Sequence, residues 1–286
     1  MANLKDIQRR ITSVKKTQQI TRAMRMVAGA KLRRAQDTST AAKPYAERMR
    51  ATLLEVARVQ KDSEHPLLAA REEVRKVEFI IVTSDRGLCG AFNSNLLKLA
   101  SQRIAEQQAQ GREILITAAG KKGRDFFRRR RPAELGDFHP QDGWVSYGDA
   151  VDLARAVSKR YVAGEIDQAV LVYNEFISAM SQLPSCNVLL PISPADAQDE
   201  VALPFEIEPN AEALLGVLVP KAVEVEVYKA LLENQTGEHA ARMAAMESAT
   251  RNTEELVDSL TLQFNRARQA AITRELVEIV SGAEAL

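Results

Sequence analysis

Apolar residues at Leu4, Ile7, Ile11 and Val14 recur at steps of three, four and three, the spacing of a helical seam that meets a partner helix. In the same register the seam passes through Gln18, Thr21 and Arg25 before Ala28, Leu32 and Ala35 restore small or apolar character. Toward the other end, Met246, Ala249, Thr253, Leu256 and Leu260 hold a corresponding register, which runs upstream through Arg242, His239 and Gln235. Each predicted helix therefore has one polar interruption. Aligning the two in antiparallel sense predicts that facing residue numbers sum to about 260, with Gln18 opposite Arg242, Arg25 opposite Gln235 and Leu4 near Leu256. The last 25 or so residues then lack a partner helix, yet keep an apolar stripe at Ile272, Leu276, Ile279, Ala283 and Leu286, displaced by one from the series Val257, Leu260, Phe264, Ala267, Ala271. A bare stripe of that size predicts a covering protein, because an isolated helix gains most of its stability from packing.

Between the ends the period changes. VEFIIVTSD (77–85) is a β-branched apolar run that predicts a strand; the turn residues DRGLCG follow, then NSNLLKLASQRIAEQQAQG with helical spacing. EILITAAG (113–120) predicts a second strand, and the order strand, helix, strand is a βαβ unit that favours a parallel sheet. DAVDLARAVSKRYVAGE (149–165) predicts a helix, QAVLVYNEF (168–176) a strand, and LPSCNVLLPI (183–192) a further strand leading into a Pro-rich loop. A Rossmann-like α/β domain is expected over residues 75–195.

Punctuation supports this division. All ten prolines lie between Pro44 and Pro220, and ten of thirteen glycines between Gly87 and Gly216. A proline inside a helix costs roughly 3 kcal/mol, so the proline-free ends are the expected long helices. The expected fold class is α/β, with two long terminal helices forming an antiparallel coiled coil around a central Rossmann-like domain: an N-terminal helix over 1–60, a foot domain over 75–195, and a C-terminal helix with a protruding tip over 209–286. At about 1.5 Å per residue the proline-free C-terminal segment reaches about 100 Å.

Charge changes the picture once it is divided. The 286 residues carry 39 Lys+Arg against 38 Asp+Glu, a net +1, but residues 1–36 hold ten basic residues and one acid, so +9 there leaves −8 on the rest. Hydrophobic residues at 45% and charged residues at 27% exclude a chain disordered throughout. Aromatic residues, at 5%, are few for a compact core. Two cysteines, Cys89 and Cys186, exclude a disulfide framework or a cysteine-rich zinc site. No run of 18 apolar residues occurs, and MANLKDIQRR lacks the apolar region of a secretory signal, so a soluble intracellular chain is expected.

Candidate chemistry is sparse. SDRGLCGAFN after a strand invites a phosphate-loop reading, but it matches neither dinucleotide nor P-loop spacing, and a structural tight turn is favoured. An α/β enzyme would need convergent titratable groups near 84–94, where only Asp85 and Arg86 stand. Cys89 has no His near it in sequence, and His65, His139 and His239 form no ligand cluster. Arg128–Arg131 reads either as an anion contact or as a solvated face at a helix end, the latter favoured. The basic arm could neutralise phosphates, but its first aromatic is Tyr45, so it lacks a stacking platform, and an acidic protein surface fits as well as nucleic acid.

ITSVKKTQQITRAMRMVAGAKLRRAQ, SDRGLCGAFNSN, ENQTGEHAARMAAMESATRN and FNRARQAAITRELVEIVSGAEAL closely resemble the gamma subunit of F-type ATP synthase. The resemblance runs along the whole chain and is closest to the bacterial type, with Ala91, Phe92 and Arg86 as small departures. It implies a central rotor shaft of a proton-translocating complex: a coiled coil inside a ring of alternating alpha and beta subunits, and an α/β foot against the epsilon subunit and the c-ring. Rotation of the c-ring would be transmitted to conformational changes at the beta-subunit catalytic sites, regulating ATPase activity and proton flow. No bond chemistry, cofactor, metal or nucleic acid is implied, and the chain would be peripheral to the cytoplasmic face of the bacterial inner membrane.

Residue by residue, the resemblance places Met24 near the acidic loop at the base of beta, with Arg25, Lys31, Arg33 and Arg34 as basic neighbours facing that loop. Arg242, Gln269, Thr273 and Glu275 match positions linked to coupling efficiency. Arg268 and Gln269 match a polar catch that hydrogen-bonds beta. The turn SDRGLCG is expected to be a structural turn without a ligand.

Overall fold

Helix α1 (Leu4–Val59) follows the three-four rhythm of its sequence over its whole length. The residues that turn away from solvent after Leu4 and Ile7 are Ile11, Val14, Gln18, Thr21, Arg25, Ala28, Leu32 and Ala35, and the rhythm continues to Leu53 and Val56. The structure is a computed structural model that describes residues 4–59, 65–141, 143–192 and 210–284. Strands β1 (Lys76–Val82), β2 (Glu113–Ala119), β3 (Leu135–His139), β4 (Gln168–Ser178) and β5 (Ser181–Leu190) alternate with α2 (Phe92–Ala109), α3 (Lys121–Arg130) and α4 (Tyr147–Val162). Helix α5 (Ala211–Glu284) closes the chain.

The five strands form one sheet in the order β3-β2-β1-β4-β5. β1 pairs in parallel with β2 and β4, β2 in parallel with β3, and β5 antiparallel to β4. Because the central strands are covered on both faces, β1 reads as a continuous apolar run broken only by Glu78. Val77, Phe79 and Ile81 face Leu96, Ala100 and Ile104 of α2 and Phe127 of α3. Ile80 and Val82 face the other way, toward Leu153, Val157 and Tyr161 of α4, Leu53 and Val56 of α1, and Val219, Val223, Val227 and Leu231 of α5. Each such side chain contributes about 1.5–3 kcal/mol on burial. Helix α4 starts on a capping box: the Asp149 N–H donates to Ser146 Oγ (3.3 Å), and the Ser146 N–H donates to Asp149 Oδ2 (2.8 Å).

Both long helices run through their prolines, Pro44 in α1 and Pro220 in α5. The cost of about 3 kcal/mol for each is met by seam residues buried on either side, Ala35 and Leu53 in α1, Leu215, Val219 and Val223 in α5. α3 (Lys121–Arg130) ends where Arg128–Arg131 is read as a solvated helix end, while β3, a five-residue edge strand whose pairing with β2 shifts register, was not expected from sequence. The chain divides into two compact units, one of Met1–Gly29 with Arg242–Leu286, the other Ala30–Ala241. Among the described residues no helix is long and apolar enough to cross a membrane.

Candidate functional site

In the first unit, α1 and α5 lie antiparallel in direct contact. Thr250 Oγ1 donates to Thr21 Oγ1 (2.9 Å), which in turn donates to the Gln18 carbonyl (3.0 Å). Arg25 Nη1 donates to Glu247 Oε1 (3.0 Å), and a side chain added at Gly29 would meet Met243 Sδ at 3.4 Å. These pairs sum to 271 or 272, which replaces the expected 260 and shifts α5 by roughly three helical turns. Leu4 therefore cannot be level with Leu256, and Leu256 itself is exposed while Val257 lies in the seam. The buried side of α5 then steps through Leu260, Phe264, Ala267 and Ala271, and beyond Ala271 every described residue is exposed.

That exposed end carries Ile272, Leu276, Val277, Ile279 and Val280, with Ile279 68% accessible. Large apolar side chains bared along one helix end mark an interaction surface. Arg268, Gln269, Thr273 and Glu275 lie on the same exposed stretch, where Thr273 Oγ1 donates back to the Gln269 carbonyl (2.9 Å). Met24 and Arg242 are half-buried in this unit. Arg25 is engaged with Glu247 inside the helix pair. With the two side chains 35% and 49% accessible, the ion pair is screened and is worth at most about 1 kcal/mol.

In the second unit, Lys31 and Arg33 are exposed on α1. Arg34 is also exposed, but its guanidinium lies 4.3 Å over the ring of Trp144, the chain's one tryptophan. Trp144 in turn meets His239 of α5 edge-on, with centroids 5.8 Å apart. On either side of Trp144 the backbone is held by Gln235, whose Nε2 donates to the Gly143 carbonyl (2.9 Å) and whose Oε1 accepts from the Val145 N–H (3.4 Å). Sequence reasoning missed this cluster. The run ENQTGEH within a long helix was its only trace.

The turn after β1 is closed on itself. Asn93 Oδ1 accepts from the Ser84 N–H (3.0 Å), and its Nδ2 reaches Ser84 Oγ (2.7 Å) and Cys89 Sγ (3.2 Å). Asp85 Oδ1 accepts from the Lys121 N–H at the start of α3 (2.7 Å), and Thr83 Oγ1 accepts from the Gly123 N–H (2.8 Å). Backbone donors that an anion would use at that helix start are thus engaged by side chains of the turn. Gly120 lies at φ +114, and an added Cβ would fall 2.2 Å from the Thr83 carbonyl oxygen, so only glycine fits there. Among the described residues no group of three His, Cys, Asp or Glu is placed to hold a metal ion.

The ATP synthase family profile matches residues 3–286. The chain is 48% identical, over 100% of both chains, to the ATP synthase gamma chain of Anaeromyxobacter sp. strain Fw109-5, and 45% identical, again over 100% of both, to that of Pelotomaculum thermopropionicum. Its fold is similar to a chain in the central stalk and c-ring structure of the Tetrahymena thermophila mitochondrial ATP synthase, with a TM-score of 0.60 at 26% identity over 80% of this chain and 99% of that one. A chain of the Euglena gracilis mitochondrial ATP synthase, from an OSCP, F1 and c-ring structure, shares the fold with a TM-score of 0.69 at 21% identity, covering 99% of this chain and 94% of that one. By its full-length match and its identity to these relatives, the chain belongs to the ATP synthase gamma-chain family.

Proposed function

We propose that this chain is the central rotor shaft of a bacterial F-type ATP synthase. In this role it transmits c-ring rotation to the beta-subunit catalytic sites and performs no bond chemistry itself. The observation that carries the reading is the antiparallel α1 and α5 pair of the first unit, in which α5 continues past the seam as an exposed apolar helix end. A helix bared in this way needs an enclosing partner, and a ring of alpha and beta subunits supplies one. Its small residues, Ala267, Ala270, Ala271 and Ser281, give a narrow profile suited to turning in a socket.

The functional division is 1–60 and 209–286 for the shaft and its tip, and 75–195 for the domain that meets the epsilon subunit and the c-ring. Lys31 and Arg33 offer cations to an acidic loop of beta, beside Met24 and Arg25, while Arg34 does so from its stack on Trp144. Arg268, Gln269, Thr273 and Glu275 form the polar part of the exposed helix end, with Arg242 further along α5 as a coupling residue. The chain would reach the cytoplasmic face of the inner membrane through the complex. Reconstituting an alpha and beta ring with and without this chain, and following a bead attached to the α/β domain, tests the proposal. ATP-driven rotation only when the chain is present is expected; none in its presence overturns the reading.

A further inference from the structure

Helix α5 is polar where it is most enclosed. Asn234, Gln235, Thr236 and His239 are all buried, and each of their neighbours up to Ala240 is buried or half-buried. A long helix surrounded on every side is expected to be apolar there. The upstream stretch Val219, Val223, Val227 and Leu231 meets that expectation, except that buried Glu224 accepts from the Tyr147 hydroxyl (2.6 Å).

The polar stretch is gripped from several directions by different segments of the second unit. Asn234 Oδ1 accepts from Nδ2 of buried Asn174 on β4 (3.4 Å). About 100° further round the helix, Gln235 holds the backbone of Gly143 and Val145, and His239, about 140° round, meets Trp144 between them. Near 300°, Gly237 brings the helix so close to Phe92 and Gln182 that an added Cβ would lie 3.0 Å and 3.1 Å from them. Arg34 of α1 closes the far side of Trp144.

From this arrangement we infer that residues 234–239 of α5, with Asn174 and the Gly143–Val145 loop, form a rotational lock that fixes the axial register of α5 in the α/β domain. A slip of one residue turns the helix by about 100° and moves it about 1.5 Å, which breaks every one of these directional contacts at once and brings Pro220, Glu224 and Tyr228, or Leu218, Ala222 and Glu226, to the places of Val219, Val223 and Val227. In coiled coils a single buried polar residue sets register at a cost in stability, and the same role is assigned to these groups. Resting on the rotor reading, the inference assigns Gln235 and Asn234 as positioning residues through which torque passes between the α/β domain and the shaft helix.

The test uses the full chain with Cys89 and Cys186 replaced by serine and nitroxide labels at Gln102→Cys on α2 and Lys229→Cys on α5. The parent gives one narrow distance distribution. Gln235→Leu, and separately the pair Asn174→Leu with Asn234→Leu, which leaves neither partner unsatisfied, are expected to give a second population shifted by about 10 Å, the chord of a 100° turn at label radius. Thr236→Val is the control, since Thr236 Oγ1 donates only to Leu232 of its own helix (2.8 Å), and it should leave the distribution unchanged. In the assembled complex the same variants should lower protons pumped per ATP hydrolysed at least twofold. Unchanged distances in folded variants overturn the lock, as does a shift in the Thr236 control. If both variants fail to fold while Thr236→Val folds, the lock is also overturned, because the contacts are then serving stability. A shifted register with unchanged pumping overturns the torque assignment. Should the parent chain itself drive no pumping, the rotor reading fails, and the label distances still decide the lock.

Discussion

Replacing Arg160 by alanine puts the energetics of the α/β unit to a direct test. Glu78 stands on the central strand and is 0% exposed, the one charged residue in an otherwise apolar run. Its carboxylate is held by Arg160 from the last turn of α4, through Nε to Oε2 at 2.9 Å and Nη2 to Oε1 at 2.5 Å, and by the Thr117 hydroxyl at 2.6 Å. Arg160 also reaches Asp137 on β3 at 2.6 Å, but that carboxylate is half accessible and is solvated when the arginine is gone. The cost of Arg160→Ala therefore falls on Glu78, which keeps one neutral donor where it had a bidentate cation.

Breaking a buried ion pair from one side costs about 3–5 kcal/mol, a large part of the roughly 5–15 kcal/mol that a folded domain has in hand. Removing both charges is a different perturbation. Glu78→Leu with Arg160→Met leaves no uncompensated charge and should recover most of the loss, since well-packed apolar replacements of buried pairs are often neutral or better. Urea unfolding followed by Trp144 fluorescence reads the same unit, because Trp144 packs between Arg34 and His239 there. A loss below about 1 kcal/mol for Arg160→Ala, or single-variant losses that simply add in the double variant, would refute the reasoning.

Four further outcomes are expected. Burial pushes the Glu233 carboxyl above its ordinary 4.5, and one of its oxygens is enclosed without a donor. The folded state thus holds that proton more tightly than the unfolded one, so stability present below pH 4.5 is lost as pH rises through the folded value; Glu233→Gln should be more stable than the parent at pH 8 and flatten the decline in urea midpoints. Gly237→Ala gains about 1 kcal/mol of helix propensity but overpacks Phe92 and Gln182, for a net loss of up to about 2 kcal/mol; a more stable variant in thermal unfolding would show that the contact is slack. Arg34→Ala should uncover one face of Trp144, red-shifting its emission and costing about 0.5–1 kcal/mol, and an unchanged spectrum contradicts the stack. Arg268→Ala with Gln269→Ala should weaken coupling of hydrolysis to pumping while the far-ultraviolet circular dichroism stays nearly constant, as both side chains are exposed; loss of helicity with coupling intact contradicts their assignment.

What the amino-acid pattern conveyed, and where it misled, follows from the kind of surface each element meets. The seam of α1 was legible because one side is covered and the other is wet, so Leu4, Ile7, Ile11 and Val14 stand out against Lys5, Arg9 and Arg10. The strands of the sheet core were legible for the opposite reason, since β1 and β4 are covered on both faces and become largely apolar runs, Glu78 being the break in β1. Leu256 and Val257 show the limit of periodicity: adjacent apolar residues at a seam position leave the register open by one, and only packing decides that Val257 turns inward. Gln235 and His239 misled for a deeper reason. Their polarity marks an interruption of the seam as clearly as Gln18 and Arg25 do, and pairing like with like set the two helices about twelve residues out of register. In the fold, Thr21 and Arg25 find their partners at Thr250 and Glu247, while Gln235 hydrogen-bonds the loop around Trp144 and His239 meets the Trp144 ring. A polar position on a helix announces that hydrogen bonds must be met, and its sequence does not say by which segment. The same ambiguity hides the site residues: Arg25 and Arg33 look alike in a basic arm, yet one is engaged with Glu247 and the other faces solvent, and that difference is written in Glu247, more than two hundred residues away.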